Sequence, residues 1–183
     1  MRFPRCVRSH FRRFTTANTS LAGTTPFHNY YVMLHSRTPP GSFPGVISSP
    51  VQKALQLALV PFKGLVNFSW SPQQGLPTLS SSFDKEAYSA TAFSNAGSVV
   101  ELGVLSLSNV QEAVQQITSP ISMVRSIEAA RPLYIYVCTH AARDCRCGDI
   151  GSSVARAFRE EIDQRKLTSE VILGETGHIG GHK

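Results

Sequence analysis

Residues 132–173 read PLYIYVCTHAARDCRCGDIGSSVARAFREEIDQRKLTSEVIL. The run from Pro132 to Val137 is apolar and rich in β-favouring residues, and it stops at Cys138, which predicts a buried strand. Beyond the cysteines, Ile150, Val154, Phe158 and Ile162 recur four residues apart, which predicts a helix with those four toward the core. Asp149 is placed to cap it, and Arg156–Glu160 and Glu161–Arg165 are spaced to pair on its outer face. SEVIL, residues 169–173, predicts a second strand. Strand, loop, helix and strand make a βαβ unit, with parallel strands and a right-handed crossover. Ligand groups collect in the loop after the first strand of such units. Here that loop holds Cys138, Cys145 and Cys147.

Working upstream, Tyr30 to His35 predicts a short strand and the Pro/Gly/Ser-rich residues 36–50 a loop. Residues 51–60, VQKALQLALV, place Val51, Leu55, Ala58 and Leu59 on one helical face, ended by Pro61. GLVNFSW, residues 64–70, predicts a strand, and the polar residues 71–86 a loop. VVELGVLSL, 99–107, predicts another strand, followed by a short helix opened by a Ser108/Gln111 capping box. Its Val110, Ala113, Val114 and Ile117 form a core-facing stripe.

A chain of 183 residues holds one ordinary domain or slightly more. Its net charge of +6 is unevenly placed: residues 1–83 carry +8 with no Asp or Glu, and residues 84–183 carry −2. The basicity is therefore N-terminal and is no nucleic-acid-binding face of the folded part. No apolar run is long enough to cross a membrane as a helix. The opening MRFPRCVRSHFRRFTTANTS is rich in Arg, Ser and Thr and lacks acids, the composition of a mitochondrial transit peptide. This divides the chain into a transit peptide with Cys6 (1–20), an N-terminal α/β region (21–130) and a C-terminal module (131–183).

Three chemistries compete for the cysteine loop. Thiol–disulfide exchange would use Cys145 and Cys147, although one intervening residue departs from the two of the redox motif. A zinc site would take Cys138 and Cys147 with His178 and His182, a sound tetrahedral donor set without zinc-finger spacing. A 2Fe–2S cluster spreads its ligands over two irons and tolerates wide spacing, and two imidazoles can replace two thiolates. Gly177, Gly180 and Gly181 argue for a tight loop around the two histidines rather than a helix.

CTHAARDCRCG (138–148) followed by GHIGGHK (177–183) resembles the sucrase/ferredoxin-like family, the thioredoxin-like 2Fe–2S ferredoxins with bis-histidine ligation. The family pattern is Cys, eight residues, Cys, then His, three residues, His. HNYYVMLHSRTPPGSFP (28–44) and GLVNFSW (64–70) resemble its fungal mitochondrial branch more loosely. The resemblance implies an α/β chain whose C-terminal module is thioredoxin-like. It also implies a 2Fe–2S cluster with Cys138 and Cys147 as thiolate ligands on one iron and His178 and His182 as imidazole ligands on the other. Cys145 falls outside the ligand positions. His140 and Arg143 are placed either to donate hydrogen bonds to the cluster sulfurs or to lie exposed in the loop. The implied function is one-electron transfer in mitochondria, with the matrix favoured. The chain would serve an unidentified redox partner protein as an electron carrier, not as an enzyme with its own substrate. The alternatives are a thiol–disulfide oxidoreductase using Cys145 and Cys147, or a structural zinc-binding interaction module. Family members continue past the last histidine with further strands and a helix. Because this chain stops at Lys183, its two C-terminal strands are expected to lack sheet neighbours.

Overall fold

In the computed structural model, residues 27–72, 86–119 and 132–179 are described. The segment 1–20 expected to be a transit peptide, with Cys6, and the ligand candidate His182 lie outside the described residues.

Six strands form one mixed sheet: β1 (Tyr30–His35), β2 (Gly64–Trp70), β3 (Tyr88–Ser94), β4 (Val99–Leu105), β5 (Leu133–Cys138) and β6 (Val171–Thr176), in the order β4-β3-β1-β2-β6-β5. β1 and β2 run parallel, as do β5 and β6, as a βαβ unit requires. β3 pairs antiparallel with β1 and with β4. The expected isolation of the C-terminal strands is not found. β6 lies antiparallel beside β2, pairing Ser69 with Thr176 and Trp70 with Glu175. β3, which hydropathy does not signal, fills the place between β1 and β4.

Among the described residues there are three α-helices. α1 (Pro50–Leu59) begins where the Ser49 hydroxyl accepts the Gln52 N–H and Pro50 occupies the first turn, where a missing N–H costs nothing. It buries Val51, Leu55 and Leu59. α2 (Val110–Thr118) buries all four residues of its expected stripe. Its capping box is formed by Ser106 and Asn109 rather than Ser108 and Gln111, because a 3-10 turn at Leu107–Asn109 starts the coil earlier. Both helices pack on one sheet face, against Val32, Leu34, Val66, Phe68, Ala90 and Leu102.

α3 (Ser152–Gln164) packs on the same face over β5 and β6, where Ile162 meets Val171, Leu173, Ile135 and Val137. Here the expected core stripe is wrong. Ala155 and Ile162 are buried, whereas Ile150 is 63% exposed and Val154 and Phe158 are each 40% exposed. A π-turn at Cys147–Gly151 precedes the helix, and within it steps of four residues overshoot a turn by about 40° each, so a stripe ending at Ile162 drifts off the face that Ala155 and Ile162 share. Arg159, one turn from Ala155, reaches the Glu175 carboxylate at 2.9 Å and holds this rotation. The Glu161–Arg165 pair forms as expected, at 2.5 Å.

The opposite sheet face is mixed, with Met33 and the contacting rings of Phe93 and Tyr136 beside polar groups. Strand register aligns His35, Ser69, Thr176 and Cys138 across four neighbouring strands. Thr91 donates to Glu101 at 2.9 Å, so its oxygen accepts from His35 Nε2–H at 3.0 Å, while Ser89 donates to His35 Nδ1. Burial pushes the His35 pKa down to about 4.

Candidate metal centre

The two parallel strands β5 and β6 end side by side, and Cys138 closes the first of them. Beyond Cys138, Thr139 N–H donates to the Thr176 carbonyl and extends the ladder by one step. The chain then turns, and a helix begins at residue 145. Its cap is Asp144, not the expected Asp149. The Asp144 carboxylate accepts from Arg146 N–H at 2.9 Å and forms an ion pair with the Arg146 guanidinium at 2.7 Å. Asp149 sits exposed within the π-turn.

Two glycines let this helix start against the strand end. A Cβ on Gly151 would lie 2.0 Å from the Cys138 carbonyl oxygen, and one on Gly148 would lie 2.6 Å from the Ala141 Cβ. Both contacts are closer than real side chains allow, so only glycine permits the approach that carries Cys147 to Cys138.

From the other side, β6 delivers His178. Gly177 N–H donates to the Phe68 carbonyl at 3.0 Å, and the Asn67 amide donates to the Gly177 carbonyl at 2.9 Å. Thr176 Oγ1 also donates to the Phe68 carbonyl. The ligand loop is thus fastened to β2, a strand 110 residues earlier in the chain.

The outcome is a triangle of donors. Cys138 Sγ, Cys147 Sγ and a ring nitrogen of His178 all lie within 4.8 Å of one another. Cys147 Sγ and His178 Nδ1 are 3.5 Å apart. Bonds of about 2.3 Å to sulfur and 2.0 Å to nitrogen give a tetrahedral edge of about 3.5 Å. The three donors therefore fit around a metal with little rearrangement, and two thiolates with an imidazole suit zinc or an iron–sulfur centre. Burial, the hydrogen bond and charge of Cys138, and the Asp144 carboxylate push the Cys147 thiol up to about 12, partly opposed by Arg146. A metal bound here would displace that proton.

Three of the four expected ligand residues are together, and the fourth, His182, is outside the described residues. Cys138 and Cys147 are free thiols, so no disulfide joins Cys147 to Cys145. His140 is neither exposed nor a donor to the cysteine sulfurs. It is 3% exposed, its Nε2–H donates to the Pro44 carbonyl at 2.9 Å, and its Nδ1 accepts from His178 N–H at 3.2 Å. Arg143 is exposed and lines a cleft of about 280 Å³ with Gly45, Ile47, Asn67 and His178. Sequence reading missed Asn67, Asp144, Arg159 and Glu175. Of these only Asp144 carried a local signal, an Asx residue just ahead of the helical turn.

The model of the sucrase/ferredoxin-like family matches residues 21–183. Altered inheritance of mitochondria protein 32 of Meyerozyma guilliermondii is 38% identical over 48 residues, 26% of this chain and 17% of the relative. The Debaryomyces hansenii protein of that name is 42% identical over 48 residues, again 26% and 17%. That of Saccharomyces kudriavzevii is 41% identical over 46 residues, 25% of this chain and 14% of the relative. The matches thus span less than a fifth of the length of these curated relatives. No solved structure matches the chain. With the family model covering all but the first twenty residues, the chain belongs to the sucrase/ferredoxin-like family.

Proposed function

We propose that this chain is a mitochondrial 2Fe–2S redox protein whose cluster ligands are Cys138, Cys147, His178 and His182. The observation that carries the reading is the convergence of Cys138, Cys147 and His178 at the carboxyl ends of two parallel strands. A bound cluster would supply one-electron transfer, at a potential raised by imidazole ligation. The protein's own part is to hold the donors. β5 fixes Cys138, the π-turn presents Cys147, and the Asn67 and Phe68 hydrogen bonds hold the backbone before His178. Residues 131–183 form a thioredoxin-like ferredoxin module in this reading, supported by the βαβ unit they contain. The mitochondrial address is supported by the names of the relatives and by the acid-free, Arg-rich opening segment.

A second reading is a mononuclear zinc site, favoured by the 3.5 Å separation of Cys147 Sγ and His178 Nδ1, the spacing of two ligands on one metal. Anaerobic purification with iron, acid-labile sulfide and zinc analysis separates the two. The proposal expects about two irons and two sulfides per chain, lost on Cys147→Ser. Zinc alone, at about one per chain, would replace it with the second reading.

A further inference from the structure

The buried ring of His140 has no counterpart in the proposed ligand set, yet it sits where three loops meet. Its Nε2 is 2.9 Å from the Pro44 carbonyl, which only accepts, so Nε2 carries the hydrogen and donates it. Its Nδ1 is then the acceptor for His178 N–H at 3.2 Å. The Phe43 ring meets it edge to face at 5.7 Å, and only 3% of the residue is exposed. Both ring nitrogens are thus used, one on the loop after β1 and one on the loop after β6, while the residue itself belongs to the cysteine loop after β5. A Cβ on Gly45 would lie 3.3 Å from the Ala142 carbonyl, so the first and third of these loops are also in close contact beside the ring.

We propose that His140 is a positioning residue: by accepting the N–H of His178 while anchored on Pro44, it fixes the His178 backbone and so aims that ring at Cys147. The inference rests on the reading of His178 as a ligand for its consequence, but not for the contact itself. This backbone hydrogen bond matters here because His178 lies two residues past the end of β6 at Thr176. Gly177 is tied to β2 by two bonds, and the bond to His140 carries that order one residue further, to the ligand. Losing such a supporting contact costs metal sites roughly 10–100-fold in affinity.

Two substitutions divide the ring's roles. His140→Asn keeps an acceptor near the Nδ1 position and gives up the reach to Pro44. His140→Gln keeps a donor near the Nε2 position and gives up the acceptor. The first readout is amide hydrogen exchange at His178 in the metal-free full chain, followed by NMR. The second is the affinity for Co²⁺, read from the visible spectrum of the thiolate complex. The expected result is a protected His178 amide in the wild type and in His140→Asn, and loss of protection in His140→Gln. Co²⁺ affinity should fall about 10–100-fold in His140→Gln and by much less in His140→Asn. Unchanged protection in His140→Gln would overturn the proposal, as would lost protection with unchanged Co²⁺ affinity. Equal loss in both variants would make His140 a packing residue and overturn it too. A wild-type chain that binds neither Co²⁺ nor iron, yet protects His178 only when His140 is present, supports the clamp and removes the ligand reading instead.

Discussion

The two ends of the sheet are built differently. Among the described residues, strands β1 to β4 with α1 and α2 enclose a cluster of sixteen buried apolar residues, whereas the β5–α3–β6 unit encloses a cluster of three, Ile162, Val171 and Leu173. Yet the candidate metal centre stands on the poorly packed end. At about 1.5–3 kcal/mol for each fully buried large side chain, the first end supplies most of the apolar stabilisation. Among the described residues the second end has the smaller apolar core, and it is tied to the first by polar groups: Asn67 and Phe68 from β2, and Pro44 through His140. Stability and site are thus separable in sequence but joined at β2. A metal shared among Cys138, Cys147 and His178 would add to the weaker end what its core lacks, since metal binding free energy is folding free energy.

That contrast is open to substitution. The largest effect is expected from Leu55→Ala, which empties a fully buried position among α1, α2 and the sheet and should cost about 2–5 kcal/mol in chemical denaturation. Any metal bound by the variant that remains folded should be unchanged. If Leu55→Ala instead loses metal while still folded, the two ends are not separable. Next is pH. His35 is held neutral by burial, with a folded pKa of about 4 against an ordinary histidine value of 6.5. The unfolded chain binds the extra proton in that window. The stabilisation is therefore complete above pH 6.5 and is lost progressively as pH falls to 4, by roughly 3 kcal/mol in all. Denaturation midpoints from pH 7 to pH 4 should fall less steeply in His35→Gln than in the wild type, and parallel slopes would refute the assignment.

Gly151→Ala should do the reverse of Leu55→Ala. Overpacking against the Cys138 carbonyl should cost about 1–3 kcal/mol, and metal binding should be lost because Cys147 is driven away from Cys138. The smallest effects belong to α3. Arg159→Gln removes a partly exposed ion pair to Glu175 and should cost about 1 kcal/mol or less. Ile150→Ser, on the exposed side, should change stability by less than about 0.5 kcal/mol. A loss of 2 kcal/mol or more at Ile150 would mean that the face is covered in solution.

What the sequence made legible divides along the same line. Where a segment buries one face against a nearby partner, its periodicity located it: β1, β2, β4, α1 and α2 fall where Tyr30–His35, GLVNFSW, VVELGVLSL, Val51/Leu55/Ala58/Leu59 and Val110/Ala113/Val114/Ile117 placed them, although β4 stops at Leu105 and Ala58 is only half-buried. β3 escaped because its inward positions are Ala90 and Ala92, whose alternation with Ser89 and Thr91 is too weakly apolar to register. The phase of α3 was misread because a strict four-residue repeat drifts about 40° per step around an α-helix, whereas the buried face follows Ala155 and Ile162, seven residues apart. β6 was expected at 169–173 and lies at Val171–Thr176, since what extends it is pairing with β2, a contact between residues about a hundred positions apart. The donor residues Cys138, Cys147 and His178 were visible as residue types at motif spacing. The groups that aim them, Asn67, Pro44 and the buried side of His140, were not, because their roles exist only once three distant loops are brought together.

The most direct test of the central claim, that Cys138, Cys147 and His178 belong to one iron–sulfur centre, is X-ray absorption at the iron edge of anaerobically purified protein, wild type beside His178→Ala. The account predicts iron with both sulfur and nitrogen in its first shell and a short iron–iron vector in the wild type, with the nitrogen contribution reduced or the cluster lost in the variant. An all-sulfur shell insensitive to His178, or a protein that carries zinc and no iron, would contradict it.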